Sequence, residues 1–181
     1  LGTLFSIGGV DVNSTNDITL SAEQKTEIIA LSEIKRGKNI FSIDESIAID
    51  NIELNQPSLK VISIERKFPN KVVIYVTGRT GVFCCKTADG EYAILDREMK
   101  VISMSDVKDN SLTELVGLQD ETLTLGHELG YRNGLLLKMV KGAERCSFIN
   151  ERFSTFFVKA EVKEDTIDLT TNSGVIMQLP V

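Results

Sequence analysis

The sequence predicts an α+β fold in two parts. The first is a strand-helix-helix-strand-strand unit, a mixed three-stranded sheet with two helices, and the second is a mainly antiparallel β domain with a short helix. Three observations carry this. Two Ser-x-x-(Glu/Gln) segments, at Ser21 and Ser42, each open a run of apolar residues at helical spacing. Two Val- and Ile-rich runs, Leu59 to Phe68 and Lys71 to Thr77, flank a Pro-Asn turn. From Gly81 onward, short β-prone runs alternate with turn residues.

Taken in order, Leu4 to Val12 alternates loosely and reads as a strand, and the polar residues Asn13 to Asp17 as a loop. Ser21-Ala22-Glu23-Gln24 caps a helix whose buried stripe is Ile28, Leu31 and Ile34. Gly37 stands where a left-handed terminus would end it, near Arg36. A second capping box, Ser42-Ile43-Asp44-Glu45, opens a helix to about Leu54, packed through Ile43, Ile47, Ile49 and Ile52. Gln56-Pro57 stops it, because the residue before proline avoids helical angles. The hairpin turn Phe68-Pro69-Asn70-Lys71 is expected as type II if Asn70 is left-handed. Then come strands over Val82 to Thr87, Glu91 to Leu95 and Lys100 to Met104. Between Leu112 and Val140 only a short helix over Leu135 to Val140 is read. Ser154 to Val162, Thr166 to Thr171 and Val175 to Leu179 close the series as strands, with Asn172-Ser173-Gly174 as the last turn.

Composition narrows the function classes. Among 181 residues, 42% are hydrophobic and 25% charged, and 20 Lys plus Arg against 26 Asp plus Glu leave a net charge of −6. That balance disfavours a phosphate-neutralising surface, so no nucleic-acid partner is expected. No window approaches the ~20 apolar residues that cross a bilayer. The chain begins at Leu1 inside an apolar stretch, which reads as a cut within a longer protein.

No set of catalytic residues can be named. His127 is the single histidine, without a second histidine or an HExxH partner set, so it is a weak candidate base or metal ligand. Cys84 and Cys85 are adjacent in a predicted strand and point to opposite faces, which rules out pairing with each other and reads as one core thiol and one partly exposed. No role is assigned to Cys146. No Gly-x-Ser-x-Gly elbow, GxGxxG or GxxxxGK(S/T) loop occurs. The acidic groups Asp89/Glu91 and Glu161/Glu164/Asp165/Asp168 lack the spacing of a calcium loop and read as solvated faces. No cofactor and no enzymatic activity are expected.

Gly37-Lys38-Asn39-Ile40-Phe41-Ser42-Ile43-Asp44, then Gln56-Pro57-Ser58-Leu59-Lys60-Val61 and Arg66-Lys67-Phe68-Pro69-Asn70-Lys71-Val72, resemble a POTRA domain, placed at residues 1–79. With the following block Glu91-Tyr92-Ala93-Ile94-Leu95-Asp96 to Val101-Ile102-Ser103, the chain is similar to the FtsQ/DivIB cell-division family, the second domain being residues 80–181. It departs from the family in having Gly78-Arg79-Thr80-Gly81 where Glu-Arg-Pro is usual, and Arg97-Glu98-Met99 where a glycine follows the aspartate. The family's β domain usually continues past the strand matching Val175 to Leu179, so the second domain is expected to be truncated at its C-terminal end.

The resemblance implies a non-enzymatic scaffold of the bacterial divisome. It would be anchored by a transmembrane helix upstream of Leu1, with this chain on the extracytoplasmic side at the septum. Its implied partners are membrane proteins of the FtsL and FtsB/DivIC type, and its implied role is support of controlled septal peptidoglycan synthesis. The motif residues Gly37, Asn39, Phe41, Pro57, Phe68, Pro69 and Asn70 are expected to be structural, with core aromatics and a tight turn. The partner site is expected on an edge strand formed by Val175, Ile176, Met177, Gln178 and Leu179, whose unpaired amides and carbonyls can take another strand. A POTRA-bearing secretion or outer-membrane assembly component is the alternative, although 3 Tyr and no Trp speak against a membrane barrel.

Overall fold

A computed structural model describes residues 5–15, 17–118, 122–130, 133–146 and 153–180, with the backbone alone at 133, 135 and 143–146. The chain divides into two compact units, Leu1–Arg79 and Thr80–Val181.

In the first unit, β1 (Gly9–Ser14) pairs parallel with β3 (Lys71–Gly78), and β2 (Leu59–Lys67) pairs antiparallel with β3, giving the order β1-β3-β2. Helices α1 (Ala22–Leu31) and α2 (Glu45–Asn55) cover one face. Their buried residues Ile28 and Ile52 meet Val72, Ile74 and Val76 of the central strand, all at most 1% exposed. A central strand bonded on both flanks and packed under two helices is rich in Val and Ile, and residues 72–76 supply four of them, interrupted by the half-buried Tyr75.

The first capping box forms as its sequence dictates. Ser21 Oγ accepts the Gln24 amide at 3.2 Å, and Gln24 Oε1 accepts the Ser21 amide at 2.8 Å. The helix stops at Leu31, five residues short of Arg36. Ser32 Oγ donates to the Ile29 carbonyl and accepts the Ile34 amide, and Glu33 takes the left-handed conformation expected of Gly37. Ile34 is 8% exposed and reaches the core from the loop, so its spacing imitated one more helical turn. Gly37 is also left-handed, with φ +81°, but inside that loop.

The second cap differs in register. Asp44 Oδ1, rather than Ser42, accepts the Ile47 amide, and Ser42 closes a 3-10 turn, Ile40–Ser42, capped by Asn39 Oδ1 on the Phe41 amide. Aspartate and serine are equally good caps, so the capping-box pattern could not choose between them. Ile47 is exposed, and Ala48 takes the buried position. Strand β1 begins later and runs through polar Asn13 and Ser14, while Leu4 lies outside the described residues.

One ion pair lies deep in this unit. Arg79 Nη2 sits 2.6 Å from Glu53 Oε2, with side chains 5% and 12% exposed. Glu53 Oε1 also accepts the Val61 amide, and Arg79 Nε donates to the Leu59 carbonyl. The pair thus joins the end of α2 to the start of β2 and the end of β3.

The second unit contains β4 (Gly81–Lys86), β5 (Tyr92–Asp96), β6 (Val101–Ser105), β7 (Thr113–Val116), α3 (Asn133–Cys146), α4 (Phe153–Phe156), β8 (Phe157–Val162), β9 (Thr166–Thr171) and β10 (Ile176–Pro180). They form a seven-stranded sheet, β10-β9-β8-β7-β4-β5-β6, antiparallel except that β7 is parallel to both neighbours. Strand β7 escaped the sequence reading because four residues, Thr-Glu-Leu-Val, carry too little pattern. Helix α3 is longer than expected, with Leu136, Met139 and Val140 buried at helical spacing. Residues 154–156, read as the start of a strand, belong instead to the helical turn Phe153–Phe156.

The main core gathers Phe83, Leu95, Met99, Leu115, Leu136, Ile167 and Leu169, all 2% exposed or less. The face opposite carries a smaller cluster of Cys84, Ile94, Ile102 and Leu112. Met99 adopts φ +63° at the hairpin between β5 and β6. Its side chain is fully buried, and Asp96 Oδ1 accepts the Glu98 and Lys100 amides. Packing and the aspartate cap hold a conformation that glycine would take unaided. Gly117 has no such latitude, because at φ +89° a Cβ would collide with the Val162 carbonyl.

Candidate functional site

Strand β10 lies at the end of the sheet and is bonded on one side only, to β9. The turn that delivers it is built by Thr171. Its amide donates to the Val175 carbonyl at 2.9 Å, its Oγ1 accepts the Val175 amide at 3.0 Å, and Gly174 supplies φ +83°. The register runs without a bulge from Ile176↔Thr170 to Pro180↔Thr166. In an antiparallel ladder, pairs alternate between facing the partner and facing away. Counted from the bonded Thr171/Val175 pair, Met177 and Leu179 face β9, and the amides and carbonyls of Ile176 and Gln178 face the open flank.

The side chains there are unburied and, Gln178 apart, apolar. Val175 is 57% exposed and Ile176 64%, with Met177 and Leu179 lower but still exposed. A long apolar edge with free backbone groups is a template for strand pairing. Pro180 ends it, at a position where the missing amide costs no ladder bond. Beneath β10, Asp168 of β9 is 2.5 Å from Lys163 Nζ. That hydrogen bond holds the Asp168 carboxyl below the usual carboxylate range and raises the Lys163 ammonium.

The motif residues of the first unit converge at a different place. Three segments meet: the Ile7 amide donates to the Lys38 carbonyl, the Gly37 amide to the Ile7 carbonyl, the Ile40 amide to the Phe5 carbonyl, and the Gly8 amide to the Asn70 carbonyl. Arg66 fastens the middle segment, donating to the Ile40 and Ile43 carbonyls and pairing with Glu45. Asn39 thus caps the 3-10 turn, the Asn70 carbonyl takes the Gly8 amide, and Pro57 is half-buried just after α2. The turn itself is not type II. The Phe68–Pro69 peptide bond is cis, and the left-handed non-glycine residues among those described are Glu33 and Met99, not Asn70.

The aromatics are not core. Phe41 is 58% exposed and Phe68 59%, and with Phe5 at 36% they form a three-ring cluster with centroids 5.4 to 6.2 Å apart. From sequence Phe5 reads only as part of the first strand, because it lies far along the chain from the two motifs it meets. Since Phe68 is so open, Phe68→Ala is expected to cost under about 1.5 kcal/mol, against the ~3–5 kcal/mol of a buried ring. Thermal unfolding of that variant checks it, and a drop in the larger range would show the ring to be buried.

The relatives agree on one kind of protein. The family described as POTRA domain, FtsQ-type, matches residues 9–79. The cell division protein DivIB of Clostridium botulinum strain Hall is 29% identical over 137 residues, covering 75% of this chain and 51% of that protein. Its counterpart in strain Loch Maree is 33% identical over 125 residues, covering 69% and 46%. The cell division protein FtsQ of Corynebacterium glutamicum is 25% identical over 99 residues, covering 55% and 41%. The chain belongs to the FtsQ/DivIB family. It spans about half the length of the Clostridium relatives it matches.

Among the described residues of this FtsQ/DivIB chain, the cysteines and His127 build no reactive or metal-binding cluster. Both Cys84 and Cys85 are buried, at 1% and 3%, on opposite faces of β4. The expected partly exposed thiol is instead covered, because both faces of this central strand carry apolar clusters. Burial pushes Cys85 up to about 11 and also raises Cys84, so neither is poised as a thiolate nucleophile. The side chain of Cys146 lies outside the described residues. His127 is exposed, and its backbone amide and carbonyl serve the loop beside β6. Among the described residues, no three His, Cys, Asp or Glu side chains gather as a metal site, and no helix is long and apolar enough to cross a membrane.

Proposed function

We propose that this chain is the extracytoplasmic part of a non-catalytic divisome scaffold, and that it captures partner membrane proteins of the FtsL and FtsB/DivIC type by strand addition to β10. The observation that carries the reading is the open flank of β10, where Ile176 and Gln178 offer backbone groups and the side chains from Val175 to Leu179 are unburied. The names of its relatives support a role in cell division. A membrane anchor upstream of Leu1, location at the septum and support of controlled peptidoglycan synthesis belong to the same proposal.

Two variants test the edge. Deleting residues from Val175 onward removes the strand, and Gln178→Pro removes one outward amide while leaving the ladder to β9 able to form. Each is expected to weaken capture of soluble FtsL- and FtsB/DivIC-type segments by tenfold or more, about 1.4 kcal/mol, with the amide exchange of β1, β2 and β3 unchanged. Undiminished capture by both variants would remove β10 from the interface.

A further inference from the structure

The Phe5–Phe41–Phe68 cluster has no part in the β10 proposal, and its exposure needs a reason. Isolated exposed phenylalanines are ordinary, but three in mutual contact, from positions 5, 41 and 68, form a contiguous apolar patch. The cis Phe68–Pro69 turn, the Asn39 cap and the Arg66 clamp all build the segments that present these rings. Positioning, rather than burial, is what they achieve.

The charge around the patch is opposite to that of the chain. Residues 35–41 hold Lys35, Arg36 and Lys38 with no acid, and residues 65–71 hold Arg66, Lys67 and Lys71 against Glu65 alone, in a chain of net charge −6. The acids close by are engaged: Glu45 pairs with Arg66, Glu65 with Lys67 and Asp11 with Lys71, while Asp44 caps α2. Glu33 lines the same concavity as Lys35, Lys38 and Asp44. Lys35, Arg36 and Lys38 are exposed and outside every ion pair among the described residues. Apolar rings beside a loop that carries three exposed cations outside those ion pairs match the boundary of an anionic bilayer, where aromatics enter the headgroup region and cations remain at the phosphates.

We propose that Phe5, Phe41 and Phe68, with Lys35, Arg36 and Lys38 on the segment that leads to Phe41, dock the first unit onto an anionic lipid surface. The test uses the 181-residue chain with vesicles of phosphatidylglycerol and phosphatidylcholine, and with vesicles of phosphatidylcholine alone, read by sedimentation. The chain is expected to partition onto the anionic vesicles, weakly or not at all onto the neutral ones, and to be released at high salt. The pair Phe41→Ser/Phe68→Ser is expected to lower the partition coefficient about tenfold or more. Replacing Lys35, Arg36 and Lys38 with glutamine is expected to lower it about fivefold per charge.

All these positions are exposed, so far-UV circular dichroism should match wild type. Because the chain has no tryptophan, Phe68→Trp gives a single emitter, whose spectrum should shift to the blue on anionic vesicles. Absence of partition, partition undiminished in both sets of variants, or a bound Phe68→Trp chain that still emits as in water would each overturn the proposal. So would capture of a protein partner through these residues without any vesicle binding.

Discussion

Arg79→Met is expected to destabilise the first unit by about 3–5 kcal/mol, because it strands the Glu53 carboxylate in a site where that carboxylate is 12% exposed. The geometry explains the size. Glu53 Oε1 is held by the Val61 amide and Oε2 by the guanidinium, which also reaches the Leu59 carbonyl. Methionine has similar bulk and no donor, so the loss is chiefly electrostatic and hydrogen-bonding. Adding Glu53→Met to that variant should recover much of the stability, since replacing both members of a buried pair removes the uncompensated charge. Urea unfolding followed by circular dichroism, with amide exchange locating the effect in β2 and β3, measures both. A cost under 1 kcal/mol for the single variant, or a double variant no better than it, would show the pair to be solvated.

In the second unit the largest effect is expected from Phe83→Ala, at about 3–5 kcal/mol. The ring is fully buried, 5.3 Å from Phe153, which itself lies 4.8 Å from Phe157. Phe83 is on β4, an interior strand between β5 and β7, and Phe153 of α4 packs on its ring, so the cavity opens where little can collapse into it. For a unit of this size the midpoint should fall by about 12 °C or more. A fall of only a few degrees would mean that the Phe153 ring moves in and fills the space.

How far these features could be read from sequence depended on the range of the interactions behind them. The first capping box, the stop at Gln56-Pro57 and the hairpin strands flanking Pro69-Asn70 are local chemistry within a few residues, and each forms in the structure. Helix α1 ended early because Ser32 and Glu33 close it, a local alternative that the buried Ile34 masked. The second cap moved from Ser42 to Asp44 because neighbouring caps of equal strength are separated only by what packs behind them. Strand β7 exists because two longer strands, β4 and β8, bond it from either side, and four residues of sequence cannot express that.

The candidate surfaces divide in the same way. Val175 to Leu179 was legible as a strand from its own residues, while its position at the sheet's end came from the pairing of every other strand in the unit. Phe41 and Phe68 were assigned to the core on composition, since phenylalanine is more often buried than not. The folded chain exposes them, Phe41 from the 3-10 turn and Phe68 from the turn after β2, and Phe5 joins them there.

What the sequence determined by itself was therefore the alphabet of elements: two capped helices, a Val/Ile hairpin, a run of short strands, and motif blocks that place the chain with FtsQ/DivIB. Those rest on interactions between residues a few positions apart, whose free energies are written into each local segment. The tertiary structure alone decided which strand lies at the edge, which cysteine faces are covered, where Arg79 finds its carboxylate and which phenylalanines meet outside the core. Each of those depends on residues distant in the chain, and their contacts acquire an energy only once the loops between them are closed.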